Sequence, residues 1–181
     1  MQTNQVQDVD TAWAKVVSRA AHVLLARQDV SYARLATKLS GIGITESARS
    51  VQGKVQRGTF KFTFFLQALV AAGTDCPYTW VQALRQESSW DARATAVLSA
   101  ELALRPSIDW PTLSRRLEHI GVPIAPASLR AQAEDGSFAS ALFFQCAAVC
   151  HFDDIQLYLD SSMLNEAVKV GRVTSQSYDV K

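Results

Sequence analysis

Apolar residues recur along most of this chain at the three-and-four spacing of amphipathic helices. Between residues 10 and 28, Trp13, Val16, Val17, Ala20, Val23 and Leu24 fall on one side and predict a first helix. Ser31 is placed to cap a second, whose inward side is Tyr32, Leu35, Ala36 and Leu39. The stretch GIGIT at 41–45 predicts a turn, because Gly41 and Gly43 accept backbone angles closed to other residues. A third helix is expected over 46–57, with Ala48, Val51 and Val55 packed. At 100° per residue the opposite side presents Glu46, Ser50, Gly53 and Arg57, flanked by Arg49 and Lys54. Gly58 ends that helix in the left-handed conformation a helix terminus favours, leaving Thr59 to cap a fourth. The fourth segment, FKFTFFLQALVAAG, is ambiguous alone, since Phe60, Phe62 and Phe64 alternate as in a strand.

An internal repeat resolves it. Shifting the chain by 78 places Leu35, Leu39, Ile42, Gly43, Ser50, Gly58, Phe60, Phe65 and Gln67 on Leu113, Leu117, Ile120, Gly121, Ser128, Gly136, Phe138, Phe143 and Gln145. With one residue of slippage Trp13 meets Trp90. The counterpart of the fourth segment, SFASALFFQCAAVC, is alanine-rich, so the shared pattern is helical. It also sets Ser140 opposite Phe62, which predicts that Phe62 is not obligatory core. The fold class is therefore all-α: two tandem helix-turn-helix-like units of four to five helices, related by internal duplication.

The expected boundaries are a disordered start over 1–9, a first unit over 10–75, and a connector over 76–87 with a short helix after Pro77. The second unit spans 88–152, with Asp109 capping its second helix and its third helix shortened by Pro123 and Pro126. C-terminal helices follow over 153–170, the last at 162–170, and 171–181 reads as a flexible tail.

Charge changes the picture more than composition does. At 181 residues, 48% hydrophobic and 19% charged, the chain has ordinary soluble globular make-up. It has no apolar run near the ~20 residues of a membrane span. The polar, acidic start MQTNQVQDVD lacks the pattern of a secretory signal, which points to the cytoplasm. The net charge of +1 conceals a division: ten basic and five acidic residues up to Arg85, then five basic and ten acidic over 86–160. A polyanion partner is the natural expectation for the first half.

Six cations gather around the third helix: Arg34 and Lys38 on the second, Arg49, Lys54 and Arg57 on the third, and Lys61 opening the fourth. Ser47, Ser50 and Gln52 add hydrogen-bonding groups, and Gly53 leaves room for backbone to approach a groove. In the second copy Arg34, Arg49, Lys54, Arg57 and Lys61 become Thr112, Ala127, Gln132, Asp135 and Ala139, and only Lys38 keeps its sign, as Arg116. The apolar scaffold persists through those changes, so the charges are not needed for folding.

Two short helices joined by a glycine turn, the second carrying basic and small polar residues outward, is the layout of a helix-turn-helix. The order SYARLATKL, GIGIT, a helix ending in Arg57-Gly58 and then FLQALVAAG resembles the repressor-type helix-turn-helix of the phage-repressor and xenobiotic-response-element-like families. The Leu-Ala, Gly-Ile and Arg-Gly-Thr-Phe landmarks are also similar to a small uncharacterised bacterial domain family. The resemblance covers about 60 residues per copy, with a turn longer than the compact repressor turn. It implies binding to double-stranded DNA.

The expected function is that of a DNA-binding transcriptional regulator, working as a homodimer through Arg34, Lys38, Arg49, Ser50, Gln52, Lys54, Arg57 and Lys61, with the acidic second unit used for assembly or a protein partner. The alternative is a phage- or plasmid-type inhibitor or adaptor, with Phe62, Tyr78 and Trp80 as exposed anchors. Neither enzyme chemistry nor a cofactor is expected. His22, His119 and His151 are scattered, and no phosphate-loop spacing is present. Cys146 and Cys150, one turn apart beside His151, suggest a metal pair, but Ala68 and Ala72 fill the same places in the first copy.

Overall fold

The computed structural model of the chain describes residues 2–86 and 89–176. The first unit runs α1 (Gln2–Ala26), α2 (Tyr32–Gly41), α3 (Ala48–Arg57) and α4 (Phe62–Ala72), followed by the connector helix α5 (Tyr78–Gln86). The second runs α6 (Trp90–Ala103), α7 (Trp110–Glu118), α8 (Pro126–Asp135) and α9 (Ser140–Cys150), then a 3-10 turn over Asp153–Leu157 and α10 (Ser161–Gln176). Helices α2 to α4 begin at 32, 48 and 62 and α7 to α9 at 110, 126 and 140, so the offset of 78 is kept in space. No helix among the described residues is long and apolar enough to cross a membrane.

Local chemistry fixes the helix ends alike in both units. Ser31 and Asp109 cap α2 and α7, each side-chain oxygen accepting from the amide three residues on. Gly58 and Gly136 end α3 and α8 with φ of 66° and 71°. A Cβ on Gly58 would fall on the carbonyl oxygen of Ala14, and one on Gly136 on that of Asp91. These glycines are therefore required twice over, by conformation and by the close crossing of α3 over α1 and of α8 over α6.

The two units meet through equivalent residues. Lys61 pairs with Ala139 in an antiparallel bridge: Phe62 N–H donates to Phe138 O at 3.1 Å, and Ser140 N–H donates to Phe60 O at 2.9 Å. The repeat converts each bond into the other, so an approximate two-fold passes through this pair. Packing obeys it: α1 lies on α9 as α6 lies on α4, and α10 lies on α1 as α5 lies on α6. Each unit thus completes its core with helices from the other.

Four expectations are corrected here. Phe62 and Trp80 are interior, 0% and 1% exposed, whereas Tyr78 is 76% exposed. Phe62 crosses into the second unit, its ring centroid 4.0 Å from that of Phe143 and 5.5 Å from that of Phe138. Residues 2–9, expected to be disordered, extend α1, and Val9 is buried because α10 packs along that helix. Gly171 does not open a tail: α10 runs through it to Gln176, and the missing side chain lets α10 pass against the Ile120 carbonyl. The remaining residues of the expected tail, 177–181, lie outside the described residues. Finally, α8 is as long as α3, ten residues each, because Pro126 occupies its first turn, where its lack of an N–H costs nothing.

Truncating Phe62 to alanine is expected to lower the unfolding free energy in urea by about 3–5 kcal/mol, as for a buried aromatic. Ser140→Ala is expected to raise it by on the order of 1 kcal/mol, since the buried Ser140 hydroxyl has no hydrogen-bond partner among the described residues. A change below about 0.5 kcal/mol in Phe62→Ala, the size expected of a surface site, would contradict this packing.

Candidate nucleic-acid interface

Helix α3 turns Val51 and Val55 inward, 0% and 1% exposed, and this orientation decides what its polar residues can reach. Arg49, Gln52, Gln56 and Arg57 form the exposed ridge. Arg34 and Lys38 are exposed on the adjoining α2, Arg34 donating from Nη1 to the Asp29 carbonyl at 3.2 Å. Five of the six expected cations therefore stand in solvent: Arg34, Lys38, Arg49 and Arg57 around this ridge with Gln52 among them, and Lys61 apart from it.

Lys54 and Ser50 are held differently. The helix begins at Ala48, with Ser47 as its cap, so Glu46 lies outside it and is free to reach back along α3. Ser50 Oγ donates to Glu46 Oε2 at 2.5 Å, Lys54 Nζ pairs with Glu46 Oε1, and the ammonium sits 4.8 Å from the centroid of the Phe64 ring. Burial pushes the Glu46 carboxyl up, but the hydrogen bonds from Lys54 and Ser50, with the Lys54 charge, outweigh it and hold the group below its ordinary range. Lys54 is thus a partly neutralised cation at the edge of the ridge.

Lys61 lies at the seam between the units. Its backbone forms the bridge to Ala139. Asp135 is held below its ordinary range first by hydrogen bonds from Ser137 and also by the Lys61 charge. Arg116, the one cation kept in the second copy, donates from Nη1 to the Val149 carbonyl at 3.0 Å and serves the end of α9. No exposed basic ridge exists on α8, whose outer positions carry Ala127, Arg130, Glu134 and Asp135 and pair Arg130 with Glu134 at 2.6 Å.

Gly53 leaves space over α3 that the Arg57 side chain uses. The space its Cβ would occupy lies 2.9 Å from Arg57 Nη1, so the guanidinium folds back over the bare helix. Arg57 also borders a cleft against α1, together with Lys15 and Arg19. Those two cations were missed in sequence, although a signal was there: with the one-residue slippage of the first helix their counterparts are Ala92 and Ala96.

Among the described residues no three His, Cys, Asp or Glu side chains converge as a metal site would need. Burial pushes the Cys146 thiol far up and that of Cys150 to about 11, so both remain protonated at neutral pH.

A family model described as a domain of unknown function, DUF6471, matches residues 13–76 and again 90–155. The chain belongs to that family, in two tandem copies whose limits agree with the two spatial units. No curated protein and no solved structure matches the chain.

The two glycines of α3 should separate cleanly by substitution. Gly53→Ala needs only a shift of the Arg57 side chain and is expected to stabilise the protein by up to ~1 kcal/mol, the helix-propensity difference. Gly58→Ala meets both a left-handed backbone and the α1 carbonyl, and is expected to destabilise by more than ~1 kcal/mol. Urea titrations of the two variants check this, and the opposite order would contradict it.

Proposed function

We propose that this chain, a tandem member of the DUF6471 family, binds double-stranded DNA through its first unit and acts as a transcriptional regulator. One observation carries the reading: of the six cations of the first unit's α2 to α4, five have neutral or acidic counterparts in the second unit on the same backbone, where the exposed cations of α7 and α8 are Arg115 and an Arg130 paired with Glu134. A basic ridge on a short exposed helix suits a groove lined by phosphates, where cations supply affinity and groups such as Gln52 supply base contacts. Arg34, Lys38, Arg49 and Arg57 are the principal contacts in this reading. Lys54 and Ser50 contribute less, because Glu46 occupies them.

The second unit covers α4 with α6 and α9. In this reading its remaining outer surface assembles the homodimer that presents two first units to a two-fold site. Each chain then carries one competent face, and the affinity of a single face for random sequence is expected in the micromolar range or weaker at physiological salt.

Titration of a random-sequence duplex at two salt concentrations tests the reading. Binding is expected to weaken with salt, and the double variant Arg49→Ala, Arg57→Ala should flatten the slope by about 0.9 for each phosphate it no longer neutralises. Glu46→Gln should strengthen binding, since it frees Lys54 and removes a negative charge from the ridge. Absence of binding at low salt, or an unchanged slope in the double variant, would contradict the proposal.

A further inference from the structure

A cleft of about 280 Å³ opens between α1 and the C-terminal end of α3, lined among others by Thr11, Lys15, Ser18, Arg19, Gln56 and Arg57. No carboxylate lines it. Lys15 and Arg19 stand one turn apart on the exposed side of α1, and the seating of Gly58 on Ala14 delivers Arg57 beside them. None of the three forms an ion pair among the described residues. The groove on the other side of Lys15 holds Asp8 and Glu166, the latter paired with Lys169 at 2.7 Å. Like charges at this helical spacing are mildly unfavourable, and a third cation brought in by the fold adds to that.

The second unit reproduces the same crossing without the charges. Gly136 sits on Asp91 as Gly58 sits on Ala14, yet the positions of Lys15, Arg19, Gln56 and Arg57 hold Ala92, Ala96, Glu134 and Asp135. Thr95, in the place of Ser18, donates its hydroxyl to the Ala133 carbonyl at 2.8 Å and ties the end of α8 to α6. The crossing is structural, and the three cations are an addition that the crossing does not require.

We propose that the α1–α3 cleft binds a phosphoryl group, with Lys15, Arg19 and Arg57 as its cationic donors and Gln56 and Ser18 as neutral ones. This rests on the DNA-binding reading of the first unit, and the ligand is then a backbone phosphate flanking the α3 ridge. A guanidinium presents a planar fork of donors to phosphate oxygens and an ammonium supplies a compact charge, so the set suits a tetrahedral oxyanion. The first helix thereby joins the interface and fixes how far along the duplex α3 is seated.

The double variant Lys15→Ala, Arg19→Ala tests this in the full chain, both side chains being exposed, with its thermal midpoint measured as a folding control. Duplex DNA and inorganic pyrophosphate are titrated against wild type and variant, following affinity, salt slope and backbone amide resonances. The expected result is a wild-type-like midpoint, weaker duplex binding, and a salt slope lowered by about 0.9 for each phosphate left without its cation. Wild-type affinity and slope in the variant would overturn the cleft and leave the DNA-binding reading standing. If wild type ignores duplex while pyrophosphate shifts amides at 15–19 and 56–58, and the variant loses those shifts, the DNA-binding reading falls and the cleft is a site for a free phosphoryl group. Response to neither ligand would overturn both.

Discussion

Two backbone hydrogen bonds, Phe62 N–H to Phe138 O and Ser140 N–H to Phe60 O, set the register on which the rest of the molecule depends. Each is worth only about 0.5–1.5 kcal/mol net, so they are not the main source of stability. That comes from the aromatic rings they align: Phe62 against Phe138 and Phe143, Phe65 against Phe144 and Tyr158, and Trp80 against Phe143 and Tyr158. The hydrogen bonds choose one pairing of the two units, and the rings make that pairing stable. Small units of some sixty residues gain from such fusion, because alone each would bury too little of its surface.

With its α4 side covered, the first unit has α2, the outer ridge of α3 and the exposed side of α1 left for function. Selection could then act differently on two faces of one backbone. The second unit conserves what the crossing and the seam need, namely Gly136, Phe138 and Phe143, and loses the cations of the first. Asymmetry of charge on a symmetric scaffold is the physical basis for assigning the two copies different work.

Much of the fold was legible because its determinants are local. The caps Ser31 and Asp109, the terminating Gly58 and Gly136, and the offset of 78 all appear in the structure where the sequence puts them. What was not legible depends on the other copy. Comparing Phe62 with Ser140 suggested a dispensable side chain, since the comparison treats each copy as packing on itself, whereas Phe62 stacks on Phe138 and Phe143 of the other copy. Residues 2–9 and Gly171 were misjudged for the same reason, their partners lying about 50 to 160 residues away along the chain. In the candidate site, helical periodicity found the exposed cations Arg49 and Arg57. It could not foresee that Glu46, lying before the helix, would reach Lys54, or that α1 would bring Lys15 and Arg19 beside Arg57.

The central claim is that one face of one unit meets the nucleic acid, and mapping backbone amide resonances during titration with a random-sequence duplex at low salt tests it most directly. Perturbations are expected over α2, α3 and the Lys15–Arg19 side of α1, with α7 and α8 silent. Perturbations centred on α7 and α8, or none at any ratio of duplex to protein, would contradict it.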